Sequence, residues 1–159
     1  MNTNEVEVKI LTEYTPEVAR GLGRLTPFLS EAGTGKPVPE VQLRKIIEAN
    51  DHVQFIALLD NQIVGAATLV EIRGILREKA YLQDFVTDAA VRGKGVGHKL
   101  WVAIESWCMD HGITTMDFTS RYDRPAAHDF FIKHGAKIRD VTAPFRVVFN
   151  GKVIKKIWS

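Results

Sequence analysis

Between Leu82 and Leu100 the chain runs from an apolar stretch, Leu82-Gln83-Asp84-Phe85-Val86-Thr87, through Arg92-Gly93-Lys94-Gly95-Val96-Gly97, into residues at helical spacing. Strand, glycine loop and helix in immediate succession constrain the fold more than any other feature here. Glycine lets backbone turn tightly or come close to a ligand because it has no Cβ. A helix that begins at such a loop offers unpaired N–H groups and the positive end of its dipole, which together seat a phosphate or pyrophosphate. The structural alternative is a turn that only tightens the junction. Two common phosphate loops do not fit. A dinucleotide fingerprint reads Gly-x-Gly-x-x-Gly and belongs to the first strand–helix unit, whereas this loop comes late and reads Gly-x-Gly-x-Gly. A Walker loop needs Gly-Lys followed by Ser or Thr, but Lys94 precedes Gly95 and Lys36 precedes Pro37.

The rest of the chain supplies the setting. Val6, Val8 and Ile10 alternate with polar residues as in a half-buried strand. Thr15-Pro16 reads as an N-cap and first helical position, with Glu17 in the first turn. Val18, Leu22, Leu25 and Leu29 then follow at helical spacing. A second helix is predicted from Pro39 to Ala49, with Val41, Leu43, Ile46 and Ile47 facing inward. Val53–Leu59 and Ile63–Ile72 form a hairpin about Asp60-Asn61, and Tyr81–Thr87 is the strand before the glycine loop. A helix from Gly97 to Asp110, with Leu100, Ile104, Trp107 and Cys108 on one face, ends at Gly112. Thr114–Thr119 reads as a strand, Pro125–His134 as a short helix closed by Gly135, and Ile138–Val141 and Phe145–Phe149 as further strands. Asn150-Gly151 is a hairpin signal that would make Lys152–Trp158 an edge strand. The pattern is α+β: one largely antiparallel, mixed sheet of six or seven strands flanked by four helices, with strand–helix–strand units in its second half.

Length and composition fit that picture. The chain has 159 residues, a formal charge of +2 and one cysteine, and no linker or repeat divides it, so a single domain over 1–159 is expected. The small charge argues against a nucleic-acid or anionic-membrane partner. No apolar run approaches the roughly 20 residues of a spanning helix, and the first residues lack the pattern of a signal peptide, so a cytoplasmic protein is expected. A lone Cys108 excludes an internal disulfide or a cysteine-cluster zinc site. His52, His98, His111, His128 and His134 show no metal-site spacing.

The segment from Leu82 to Leu100 resembles the acetyl-CoA core of the GCN5-related N-acetyltransferase (GNAT) superfamily. Arg92, Gly95 and Gly97 fill its pattern of Gln or Arg, two residues, Gly, one residue, Gly or Ala. Downstream, Arg124-Pro125-Ala126-Ala127-His128-Asp129-Phe130-Phe131-Ile132-Lys133-His134-Gly135-Ala136 resembles the family's closing helix, usually Ala-x-x-Phe-Tyr-x-x-x-Gly-Phe. The two motifs come in the family's order, joined by one helix and one strand.

The resemblance implies transfer of an acetyl group from acetyl-CoA to an amine. The pyrophosphate would rest on the N–H groups of Gly93, Gly95, Val96, Gly97 and His98, with Arg92, Lys94 and Lys99 adding positive charge. The pantetheine arm would lie between two splayed strands against the backbone of Phe85, Val86 and Thr87. Relatives often carry a Glu just before the Asp of this strand; here the position is Gln83, which takes no proton at neutral pH. Asp84 is then the nearest carboxylate and the first candidate base, unless it is only a structural acceptor. Neighbouring residues of a strand face opposite ways, so Gln83 and Asp84 share a side only if a bulge intervenes. Phe131 stands beside the cofactor where many relatives place a proton-donating Tyr, which leaves the acid open between another group and unaided departure of a thiolate with a pKa of about 8.5. Tyr122, and more weakly Tyr81, are candidate acids. His128 is a candidate base, substrate ligand or packing residue.

The acceptor groove would involve the first two helices and their loop, Leu25 to Lys36, the strand at Asp84 and the segment after Ser120. Acidic groups between Glu31 and Glu40 favour a cationic amine, whereas Arg121 and Arg124 favour an acidic or phosphorylated one. The missing acid–base residues also admit a non-catalytic acyl-CoA sensor. Members of the family are often homodimers, and an exposed edge after Asn150 would serve such pairing.

Overall fold

The computed structural model describes residues 5–149, and the expected edge strand Lys152–Trp158 lies outside them. The residues form two compact units that divide after Thr119.

The first unit is a five-stranded sheet in the order β1-β2-β3-β4-β5, with strands Glu7–Ile10 (β1), His52–Leu59 (β2), Gln62–Arg73 (β3), Glu78–Thr87 (β4) and Met116–Asp117 (β5). The first four are antiparallel neighbours and β5 runs parallel to β4. Helices α1 (Pro16–Leu29), α2 (Glu40–Glu48) and α3 (Val96–Asp110) complete it. The α1 start is as read from sequence: Thr15 Oγ1 accepts from Val18 N–H at 3.1 Å, and Pro16 holds the first position, where no N–H is needed. Asp60 and Asn61 both adopt positive φ in the β2–β3 turn, the conformation that a two-residue hairpin demands.

Ala19, Leu22 and Leu25 of α1 and Leu43 of α2 pack with Ile56 of β2, Ile63 and Ala66 of β3 and Val86 of β4. That cluster marks one face of the sheet as the α1/α2 face. Burial of such side chains stabilises the fold by about 1.5–3 kcal/mol each. Gly23 makes the tight join possible: a Cβ there would collide with the carbonyl of Lys36, so only glycine lets the α1–α2 connection lie against α1. On α3, Leu100 and Ile104 are fully buried, Trp101 is nearly so and Cys108 is 9% exposed. Burial raises the Cys108 thiol pKa, with smaller contributions from Glu105 and Glu71.

Three sequence expectations change. Val41 is 69% exposed; Leu43 points into the core, and two residues back is the other side of a helix. The strand expected over Thr114–Thr119 shortens to Met116–Asp117, paired only at Ala80↔Met116 and Tyr81↔Asp117. Lys79 Nζ holds this junction by donating to Asp117 Oδ2 at 2.9 Å, and beyond Tyr81 the two strands no longer pair. Ile138–Val141 and Phe145–Phe149 are irregular. Both segments are exposed and neither has a partner strand among the described residues, and apolar alternation without a ladder does not make a strand.

The second unit carries α4, Pro125–Lys133, with Pro125 at its first position. Gly135 follows at φ 95°, and Ala136 N–H donates back to the Phe131 carbonyl at 3.0 Å.

Candidate active site

Strand β4 carries the irregularity that shapes the site. Ala66 faces Val86 and Thr68 faces Gln83, so Ala67 alone opposes Asp84 and Phe85. This is a β-bulge, which bends the strand and re-aims its side chains. Asp84 sits at its centre with φ 51°, left-handed backbone that Asp tolerates better than most residues. Gln83 and Asp84 are both exposed, while Leu82 before them and Val86 after them are buried. Asp84 has no hydrogen bond or ion pair among the described residues. Protein atoms crowd its carboxyl enough to raise its pKa above the usual carboxylate value, although the group still opens to water on one side.

Phe85, displaced by the bulge, turns to the α3 side. It meets Trp101 edge-on at 6.3 Å between ring centroids, and Trp101 meets Phe118, just past β5, at 5.9 Å. The indole thus bridges the Phe85 and Phe118 rings. Trp101 is a packing residue of α3, 4% exposed.

After Thr87, Asp88 begins a 3-10 turn, Ala89–Val91, accepting from Ala90 N–H at 2.9 Å. Its other oxygen accepts from Arg24 of α1 at 2.6 Å, and the same guanidinium donates to the Ile63 carbonyl at 2.6 Å. Arg24 and Asp88 therefore tie α1 to the root of the glycine loop. Sequence reading missed both. The Arg24 hydrogen bond, then the Ala90 N–H, hold the Asp88 carboxyl below its usual pKa. A depressed carboxylate stabilises the fold above its unfolded pKa of about 3.9 and loses that contribution as pH falls through the folded value. Asp88→Asn should therefore cost about 1 kcal/mol at neutral pH, kept small by the half-exposed guanidinium. In urea unfolding followed by circular dichroism, the gap between variant and parent should close as the pH approaches the lower value.

The loop itself is open. Gly93 has φ 82° and Gly95, the α3 N-cap, φ 77°, and a Cβ on either would meet nothing within 4 Å. Backbone N–H groups of Gly93, Gly95, Val96 and Gly97 have no acceptor among the described residues, whereas Lys94 donates to Val91 and Lys99 to Gly95. Arg92, Lys94 and His98 are exposed. Lys99 departs from expectation: its Nζ reaches the Val6 carbonyl at 3.0 Å and Glu5 at 3.3 Å, anchoring the approach to β1 instead of the loop. A ring of free N–H groups at a helix N-terminus, with no side chain filling it, fits a pyrophosphate.

The remaining candidates other than Tyr81 lie on the second unit. Tyr122 is 97% exposed. His128 lies on α4, its Nε2 enclosed and without a hydrogen-bond partner among the described residues. Phe131 packs edge-on against Phe130 at 5.6 Å. Arg121 makes a two-pronged contact with Asp123, 3.1 and 2.7 Å. Tyr81, on β4, is half-buried. Among the described residues no group of three or more His, Cys, Asp or Glu is placed to hold a metal ion, and no helix is long and apolar enough to cross a membrane.

Comparison with known proteins agrees with the α+β fold. The family model of the GNAT acetyltransferases matches residues 22–136, and the chain belongs to the acetyltransferase (GNAT) family. It is similar in structure to an aminoglycoside acetyltransferase from an uncultured soil metagenomic sample, solved in complex with sisomicin, at TM-score 0.79 and 22% identity over 91% of this chain and 97% of that one. An integron cassette protein from the mobile metagenome of V. cholerae follows at TM-score 0.72 and 21% identity, covering 96% and 97%. A GNAT family acetyltransferase of Staphylococcus aureus has TM-score 0.71 and 17% identity, covering 91% and 98%. At these identities the likeness establishes the fold. No curated protein matches the sequence.

Proposed function

We propose that the chain, acting as one domain over 1–159, is an N-acetyltransferase that moves the acetyl group of acetyl-CoA directly to a primary amine in the cytoplasm. One observation carries this reading: the bulge aims an unpaired carboxylate of raised pKa, Asp84, from the strand that leads straight into a loop of free N–H groups. Acetyl-CoA supplies an activated thioester. The N–H groups from Gly93 to Gly97, with His98, hold its pyrophosphate, Arg92 and Lys94 add charge, and the backbone of Phe85–Thr87 guides the arm along β4. Asp84 removes the proton from the attacking nitrogen, directly or through water. The new C–N bond forms as the C–S bond breaks, a backbone N–H of β4 steadies the oxyanion, and the thiolate departs to be protonated by Tyr122 or solvent. Phe131 offers no proton for that step, and His128 on α4 remains a candidate for acceptor binding.

The acceptor class is an amine, small or on a protein, and the aminoglycoside acetyltransferase among its neighbours makes polyamino compounds the first to try. Thermal shift with acetyl-CoA, CoA and ATP tests the donor, and thiol release from acetyl-CoA over ethanolamine, spermidine, benzylamine and sisomicin tests the reaction. Stabilisation by ATP and not by CoA overturns the reading. A second reading, an acyl-CoA sensor, is favoured by Gln83 and Phe131, neither of which titrates; stabilisation by acetyl-CoA with no turnover on any amine would select it.

A further inference from the structure

A polar row crosses the otherwise apolar centre of the sheet at the level of the bulge. Gln54 of β2 pairs with Thr68 of β3, and Thr68 pairs with Gln83 of β4. Directly paired residues share a face, and Gln54 and Thr68 each lie two positions from Ile56 and Ala66, which line the α1/α2 core. All three side chains therefore belong to the α1/α2 face. Gln54 and Thr68 are buried, 6% and 5% exposed; Gln83 is exposed and its amide has no partner among the described residues.

The hydrogen bonds within the row have a fixed direction. Gln54 Nε2 lies 3.2 Å from the Phe55 carbonyl and 3.1 Å from the Ala67 carbonyl. Carbonyls only accept, so the nitrogen must face them and Oε1 must face Thr68. The Thr68 hydroxyl therefore donates to Gln54 Oε1, at 2.6 Å. Its single proton is spent, and toward β4 it offers only lone pairs.

We infer that, as the acceptor binds, the Gln83 amide nitrogen, which has no partner among the described residues, comes to donate to Thr68 and so turns the Gln83 carbonyl oxygen outward as a fixed acceptor for an N–H of the incoming amine. This inference rests on the acetyltransferase reading and gives Gln83 a role that Glu would fill differently. Gln83 orients the nucleophile without competing for its proton, and Asp84 receives that proton. Gln54 and Thr68 are positioning residues, acting through Gln83. The row selects acceptors that present a hydrogen-bond donor at the reacting nitrogen in addition to the proton Asp84 removes, which means primary amines over secondary ones.

Variants separate positioning from packing. Thr68→Val strands the Gln54 oxygen and lowers stability, so it is compared with the double variant Gln54→Leu/Thr68→Val, which removes both buried partners and restores the melting temperature. Acetyl-CoA turnover is measured with the best amine of the panel above. The double variant should still show a fall of about tenfold in kcat/KM for the amine, the weight of one hydrogen bond, with KM for acetyl-CoA unchanged. Thr68→Ser should retain parent values. In a Gln83→Leu background the double variant should have no further effect on kcat/KM. Full activity of the folded double variant, or additive losses with Gln83→Leu, overturns the inference while leaving the acetyltransferase reading standing. A parent protein that turns over no amine overturns that reading, and this inference with it.

Discussion

Gly95→Glu should abolish acetyl-CoA binding while leaving the protein folded. The substitution places bulk and a negative charge among the N–H groups of Gly93 to Gly97, where the pyrophosphate is proposed to sit. A Cβ at Gly95 has open space within 4 Å, so the new side chain starts without a clash. The left-handed backbone at φ 77° costs a non-glycine residue about 1–2 kcal/mol, well below the stability of an ordinary domain. Affinity should fall by at least about a hundredfold, since the new carboxylate competes for the free N–H donors and repels a polyanion. Isothermal titration with acetyl-CoA reads the loss and circular dichroism reads the fold. Unchanged affinity would mean that the phosphates lie elsewhere.

Asp84→Asn should lower turnover by about a hundredfold or more, the weight of a general base, with acetyl-CoA affinity unchanged. Asparagine suits the test because it also tolerates left-handed backbone and preserves shape. In the parent protein activity should fall as pH drops through the Asp84 pKa, and the acid limb should lie above the ordinary carboxylate range because burial raises it. Stability moves the other way. A carboxyl whose folded pKa is raised binds its proton more tightly in the folded state, so ionising it destabilises the fold as pH rises through that value. The variant should thus melt higher than the parent at neutral pH and match it in acid. A fully active Asp84→Asn protein removes Asp84 as the base.

Much of the fold was legible because its signals are local. Thr15-Pro16 capped α1, Asp60-Asn61 turned the β2–β3 hairpin, and the glycines announced α3, each through chemistry confined to a few neighbouring residues. The open glycine loop was legible for the same reason. The bulge was not: whether Asp84 joins Gln83 on one side depends on the register against Ala66 and Thr68, which no single strand encodes. The shortness of β5 is set by its pairing with β4, which the segment's own sequence does not encode. Phe145–Phe149 had the alternation of a strand but needs a partner that sequence cannot supply. Arg24 and Asp88 are distant in the chain, and nothing local links them. Gln54 and Thr68 did leave a trace, since each interrupts an apolar strand at a position that should face the core. A buried polar residue needs a partner, and two such interruptions on adjacent strands of one hairpin point to each other.

Cys108 has a practical consequence. It is the chain's one cysteine, buried on α3 with its thiol pKa raised, and only an accessible thiolate reacts readily with disulfide reagents. In the native protein such a reagent should therefore read the CoA released by turnover, with no background from the enzyme. Once α3 leaves the sheet, the same reagent should label each molecule once. The chain thus carries an internal clock for its own opening: labelling rates without substrate measure how often the helix that begins at the glycine loop comes away.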